Sequence, residues 1–349
     1  MLLPAKTWPI LAKLKAGKVL GQTTAISRDI LQSEEQSEER APIYLDGELE
    51  KATKAHPQST LEIEYDRARD RLAQHAPVVR YEARDILVTP AGLYTAGSAL
   101  RINAPTDLSA LLRTPLVETD AAAICDTGVT LRYFGHLIQD ALPTALLAQE
   151  GEVPVITTNP KWQDVPAYFT GLGIDPIRMP LHLAKRAVWF EDFGQGTLKR
   201  QRYQTIRKRL RDAYPASQPG KRIYFKRPAG GDVRTIINEG EMIQALTQAG
   251  FVVVDPSSMK AEELLPILMD ASVSVGIDGS HLNHLYFTLA EGAVAVCLIE
   301  NDRFTMQQAD YSRANGLVPA FMVLEGQMGV GYRVDVPGLL KTLEKAGVQ

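Results

Sequence analysis

The sharpest local feature of the sequence is Gly276-Ile277-Asp278-Gly279-Ser280-His281-Leu282-Asn283-His284. An apolar run precedes it and a helical pattern follows it, so it reads as the turn between a strand and a helix. Open α/β sheets bind ligands outside the carboxyl ends of their strands. A helix N-terminus adds free N–H groups and a partial positive charge, which favour phosphate or another anion. Gly279 permits close backbone approach, and Ser280 can cap the helix and donate a hydrogen bond. An ordinary strand–turn–helix with an Asp/Ser cap fits the same string. His281 and His284 are three apart and share a helix face. No other Cys/His pair of ligand spacing lies nearby, so the two are read as donors to a phosphate or sugar hydroxyl, and no metal site is expected.

Arg227 and Arg234, with Lys226 beside them, flank the loop Pro228-Ala229-Gly230-Gly231-Asp232 at the end of another expected strand. A guanidinium is planar, always charged and bidentate, which suits a diphosphate. Solvated surface arginines are the plain alternative. Both features end strands of one expected sheet, so they can converge on one ligand. A third feature is His136 with Asp140, four apart on a helix that starts at Phe134-Gly135. A carboxylate beside a histidine orients the ring and raises its basicity, as a general base requires. A helix-terminal histidine with an incidental acid is the alternative.

The elements that would position these residues emerge from the composition and periodicity. The 349 residues suggest about two domains of ~150 residues each. Hydrophobic residues are 45% and charged residues 23%, which excludes disordered and coiled-coil chains, and the net charge of −3 gives no bulk basic field for nucleic acid. No apolar run reaches the ~20 residues of a membrane helix. Lys13, Lys15 and Lys18 interrupt the apolar N-terminus, so no signal peptide is expected. The two cysteines, Cys125 and Cys297, sit in apolar runs and read as buried core thiols in a reducing compartment.

Residues 34–50 are acidic (Glu34, Glu35, Glu38, Glu39, Asp46, Glu48, Glu50) and read as a solvated loop or exposed helix face. Residues 60–74 read as an amphipathic helix, and 85–97 as a hairpin around Pro90-Ala91-Gly92. From residue 121, strands (121–126, 153–158, 184–190) alternate with helices (134–149, 165–173), the rhythm of a parallel sheet. The basic segment Lys199, Arg200, Arg202, Arg207, Lys208, Arg209 and Arg211 reads as a solvated helix face, with a peripheral contact to anionic lipid as the alternative. A linker-like stretch at 216–221 sets a domain boundary. The second half continues with strands at 222–227, 251–256 and 293–300, and with 272–280 running from strand into a Gly-rich turn. Helices are expected at 238–250 (Asn238 as N-cap, Gly250 as stop), 260–271 with a bend at Pro266, 281–292, 305–316 and 336–347. The fold class is α/β: two Rossmann-like domains facing a cleft. Residues 1–215 form the first domain, with an irregular, β-containing start, 216–335 the second, and 336–349 a C-terminal helix.

Three blocks are similar to glycosyltransferase family 61 in its bacterial branch: 134–147 (FGHLIQDALPTALL), 225–263 (FKRPAGGDVRTIINEGEMIQALTQAGFVVVDPSSMKAEE) and 275–287 (VGIDGSHLNHLYF). The resemblance spans roughly residues 120–325. It implies the glycosyltransferase B fold and an inverting, metal-independent transfer from a nucleotide sugar, with no cofactor, to an acceptor of cell-surface polysaccharide, capsular or exopolysaccharide in type. Arg227 and Arg234 fall on the family's arginines, and Asp278-Gly279-Ser280 on its glycine turn. With His281 and His284 these would hold the donor, and His136 with Asp140 would activate the acceptor. Lys226 stands where Ser is usual, Asp278 where many members have His, and His284 where Asn is common. Cys297 stands where the following strand carries an acid, which leaves Glu300 as a candidate for the ribose. These departures leave nucleotide and sugar open. Another group transfer on the same architecture, such as pyruvyl transfer to a polysaccharide, and a non-catalytic glycan- or nucleotide-binding module remain alternatives. The expected location is the cytoplasm, including a peripheral position at the inner membrane.

Overall fold

The computed structural model describes residues 5–9, 18–19, 27–89, 92–95, 98–101, 113–130, 132–158, 161–178, 181–228 and 234–348. The loop residues Ala229-Gly230-Gly231-Asp232, the Pro90-Ala91 turn, and Lys13 and Lys15 lie outside these. The chain is mixed α/β and divides into two compact units. One comprises Met1–Glu35, Gln74–Val165 and Gly173–Arg202, the other Gln36–Ala73, Pro166–Leu172 and Tyr203–Gln349.

The strands of the first unit are β1 (Lys18–Val19), β2 (Ser27–Gln32), β5 (Val78–Thr89), β6 (Gly92–Tyr94), β7 (Ser98–Arg101), β8 (Val117–Ile124), β9 (Val153–Val155) and β10 (His182–Glu191). The strands β3 (Glu35–Glu38) and β4 (Leu72–His75) make a separate two-stranded ribbon. Among the described residues the sheet of the first unit runs β1-β7-β6-β5-β10-β8-β9, with β2 also on β5. The expected parallel rhythm holds for β9-β8-β10. The sheet as a whole is mixed, because β10 also pairs antiparallel with the long β5, His182 opposite Val88 and Glu191 opposite Val79. The hairpin expected at 85–97 is the antiparallel β5–β6 pair. The core of this sheet includes Val79, Tyr81, Ile86, Ala122, Ile124 and Trp189.

The strands of the second unit are β11 (Arg222–Phe225), β12 (Phe251–Val254), β13 (Val273–Ile277), β14 (Val294–Glu300), β15 (Val318–Gln327) and β16 (Gly331–Arg333), ordered β12-β11-β13-β14-β15-β16. All neighbours are parallel except the β15–β16 hairpin. Every residue of β13 and β14 is buried, as a sheet covered on both faces requires. Alternation divides the two cores: Ala295, Cys297 and Ile299 join one, Val294, Val296 and Leu298 the other.

The helices are α1 (Leu61–Arg69), the helical run α2 (134–145), α3 (Val165–Leu172), α4 (Thr197–Ala213), α5 (Glu239–Gln248), α6 (Ala261–Leu268), α7 (Asn283–Thr288), α8 (Gln307–Ala314) and α9 (Val336–Lys345). Leu264 and Leu268 of α6 pack on the first face, and Met242, Leu246, Leu339 and Leu343 of α5 and α9 on the second.

Four local expectations need correction. The acidic segment is not wholly solvated: Glu48 is 2% exposed and its Oε2 accepts the Val323 N–H of β15 at 2.6 Å. That strand-edge donor needs an acceptor, and a carboxylate supplies a strong one. The helix expected over 60–74 stops at Arg69, and β4 begins at Leu72. Asn238 stands at the N-cap position of α5 as expected, but its side chain makes no cap hydrogen bond: its Oδ1 accepts the Val334 N–H and its Nδ2 donates to the Val334 carbonyl. The basic helix α4 is not one solvated face, because Lys199, Arg202 and Arg207 are buried. Arg207 donates to the carbonyls of Tyr286 and Leu289 at the end of α7, where orphan carbonyls attract a cation. Burial, then the nearby Arg211 charge, pulls its pKa down to about 10. Cys125 and Cys297 are buried free thiols, as expected, and burial raises both well above the ordinary thiol range.

Candidate functional site

In the second unit, β11, β13 and β14 are adjacent and parallel, so their carboxyl ends open on one edge of the sheet. The chain beyond β11 carries Arg227, that beyond β13 carries Asp278 and Gly279, and that beyond β14 carries Arg303. Arg227 and Arg234, expected to converge, both donate to the main-chain carbonyl of Asp278, Arg227 Nη1 at 3.0 Å. The Asp278 carboxylate is buried. Its Oδ2 accepts from Arg234 at 3.0 Å and from Arg303 at 2.9 Å, and its Oδ1 from Gln308 at 2.7 Å. Burial would raise its pKa, but the Arg234 and Arg303 charges outweigh that and hold it below the ordinary carboxyl value.

Glu300, a candidate for the ribose, has a fully buried side chain, and its Oε1 lies 3.0 Å from Arg234 Nε. Burial, then repulsion by Asp278, pushes its pKa up to about 8. Arg234 serves two carboxyls at once, and the one with fewer donors keeps its proton. Among the described residues, three guanidinium groups therefore face one carboxylate and, near neutral pH, one largely protonated acid. Among the described residues the site carries excess positive charge, and Arg227 and Arg303 are its partly exposed members.

Gly279 makes the close approach possible. A Cβ there would collide with Arg227 Nη1 and come within 3.0 Å of His281 Nδ1. The His281 ring stacks on Phe225 at 5.6 Å, and its Nε2 is buried with no hydrogen-bond partner among the described residues. Burial, then Arg227, drives its pKa well below 6.5, so the ring is neutral. His284 lies deeper: its Nδ1 is 2.7 Å from the Tyr168 hydroxyl, and burial pulls its pKa down to about 4. Its surroundings are those of a packed core histidine. Ser280 opens a short 3₁₀ turn, and the helix cap expected of it is absent, since no side chain caps α7.

Sequence reading missed Arg303, Gln308 and His56. Burial, then Arg303, lowers the His56 pKa. Arg303 was legible in principle, because it follows a strand beside β13. His56 belongs to the segment 36–73 and had no local signal.

In the first unit, α2 begins as an α-turn (Phe134–His136), widens into a π-helical stretch (Leu137–Ala141) and closes as an α-turn (Leu142–Ala145). Pro143 explains the widening: it has no N–H to give to the residue four before it. Single π turns of this kind recur at functional sites. His136 Nδ1 is 2.8 Å from Asp140 Oδ2, so the expected pair forms. The His136 side chain is 26% exposed, enough to meet a substrate. Lys199, buried on α4, donates to Asp140 Oδ1 at 3.1 Å and to the Asp192 carbonyl at 2.8 Å. Burial would raise the Asp140 pKa, but the Lys199 charge and the His136 hydrogen bond prevail and lower it. Asp126, at the carboxyl end of β8, was also missed. Its carboxyl accepts the Thr157 N–H at 2.9 and 3.0 Å, and burial pushes its pKa up to about 7.

Among the described residues, no group of three or more His, Cys, Asp or Glu side chains could hold a metal ion, and no helix is long and apolar enough to cross a membrane. The family model described as Glycosyltransferase 61 matches residues 134–296. That segment holds His136, Asp140, Lys199, Arg227, Arg234 and the Asp278–His284 turn, and it ends before Glu300 and Arg303. No curated protein matches the chain. The matched segment supports glycosyltransferase family 61, and with it a glycosyltransferase as the class of enzyme.

Proposed function

We propose that the protein is an inverting glycosyltransferase that moves a sugar from a nucleotide-sugar donor to a hydroxyl of a cell-surface polysaccharide. The observation that carries this reading is the convergence of Arg227 and Arg234 on the Asp278 carbonyl, with Arg303 on the same residue. A site whose described residues carry surplus guanidinium charge at the carboxyl ends of parallel strands suits a diphosphate. In the proposed reaction, the acceptor hydroxyl gives its proton to His136 Nε2. Its oxygen bonds to the anomeric carbon from the face opposite the diphosphate. The bond from that carbon to the diphosphate oxygen breaks, and the electron pair leaves with the diphosphate. The guanidinium groups stabilise that developing charge, the part a divalent cation plays elsewhere. We read the two units as the halves of a glycosyltransferase B fold. The parallel β9-β8-β10 set in one and the parallel β12-to-β15 set in the other support this.

A thermal-shift series with UDP, GDP, CDP, ADP and TDP tests the donor site. A nucleotide at 100 times its dissociation constant adds ~2.7 kcal/mol of stability. One of the five should raise the melting temperature, and Arg227→Ala should abolish the rise. No shift with any of them, or an undiminished shift in Arg227→Ala, would overturn the assignment.

A further inference from the structure

The carboxylate of Asp140 is held from two sides: His136 Nδ1 at one oxygen, the ammonium of Lys199 at the other. Lys199 is 1% exposed, and a buried ammonium stays charged only where acceptors surround it. Its second acceptor, the Asp192 carbonyl, is itself anchored. The Asp192 carboxylate takes two hydrogen bonds from Arg202, at 2.7 and 2.9 Å, and one from Thr144 at 2.9 Å. The first turn of α4 and the chain after β10 therefore brace the π-helical stretch that carries Asp140.

An ionised carboxylate can only accept, so the His136 nitrogen beside it must carry a hydrogen. In a neutral ring the lone pair then falls on Nε2. Among the described residues, the charged groups linked to the ring are Asp140 on α2 and Lys199 on α4, with the Asp192–Arg202 pair behind; the Tyr133 ring lies 5.8 Å away. We propose that Lys199 is a positioning residue for His136, acting through Asp140: it neutralises and pins the carboxylate, so the imidazole keeps its proton on Nδ1 and presents an unprotonated Nε2. This rests on the reading of His136 as the base. Without the ammonium, the whole carboxylate charge would act on the imidazole and favour imidazolium, which has no lone pair to receive a proton. The low Asp140 pKa is in keeping with this.

The full chain, labelled with ¹⁵N at its 6 histidines, tests the proposal directly. A His136→Gln difference spectrum assigns the ring. In the parent protein near pH 7.5, His136 should show a protonated Nδ1 and a bare Nε2. In Lys199→Met, the imidazolium-to-imidazole ratio at a given pH should rise about tenfold, the lower end expected when a compensating charge is lost. Lys199→Arg should restore the parent spectrum. Lys199→Gln keeps an N–H for the Asp192 carbonyl without the charge. It should behave as Lys199→Met and stands in for it if that variant does not fold. A parent ring protonated on Nε2 rather than Nδ1, or titration that is identical in the parent and the charge-free variants, would overturn the proposal. These spectra need neither donor nor acceptor. Failure to bind any nucleoside diphosphate would remove the transfer reading and leave the His136–Asp140–Lys199 arrangement standing.

Discussion

The cluster around Asp278 and the cluster around Asp140 use the same parts to opposite ends. Each holds an ionised carboxylate on cations that are buried or partly buried. Around Asp140 one ammonium faces one carboxylate, so those two charges cancel, and an imidazole lies beside them. Around Asp278 the cations are Arg227, Arg234 and Arg303, and Glu300 takes a proton instead of balancing them. Balanced charge suits a group that moves a proton, and surplus positive charge suits a group that holds an anion. The lesson is that the ratio of cations to ionised acids, more than the residue types, separates the two chemistries.

Arg234→Ala should break the second cluster most severely. It strips two buried carboxyls of their shared partner, which costs about 3–5 kcal/mol in a urea denaturation experiment. A loss below ~1 kcal/mol would mean that Asp278 and Glu300 do not depend on it. Asp140→Asn should lower transfer by about 10²-fold while nucleotide affinity stays the same. If turnover and affinity fall together, the two clusters are not separate in function.

Glu300→Gln sharpens the contrast through pH. The folded value of Glu300, about 8, lies above its ordinary 4.5, so its burial costs nothing below pH 4.5. The cost grows as pH rises toward 8 and then levels off. The variant should match the parent near pH 4 and exceed it at pH 9 by on the order of 5 kcal/mol, ~1.4 kcal/mol for each unit between 4.5 and about 8. Parallel stability–pH curves would show that Glu300 does not titrate there. Gly279→Ala should have the smallest effect. Its methyl displaces the Arg227 guanidinium, and nucleotide binding should weaken about tenfold, as loss of one charged hydrogen bond does. The ¹⁵N spectrum of His136 should not change.

Much of the second unit was readable. Residues 293–300 are apolar on both faces, and they form the fully buried β14. Gly250 marked the end of α5 and adopts φ +81°. Asp278-Gly279 marked the strand end on which Arg227 and Arg234 meet. The segment 36–73 was not readable in the same way. Glu48 and Glu64 look like surface acids, yet one holds the Val323 N–H and the other the Met306 N–H, more than 240 positions away in each case. Lys199 and Arg207 fail for the same reason: a run of cations looks solvated until the carbonyls and carboxylate that receive them are known.

The alternation of strands and helices from β11 to β14, the turn at Gly279 and the His136–Asp140 spacing follow from the chain alone, because periodicity, glycine and the helical repeat act over a few residues. The antiparallel seating of β10 on β5, the proton kept by Glu300 and the role of Lys199 do not. Each depends on which remote group arrives to satisfy a buried donor or charge, and that is settled only when distant segments pack together.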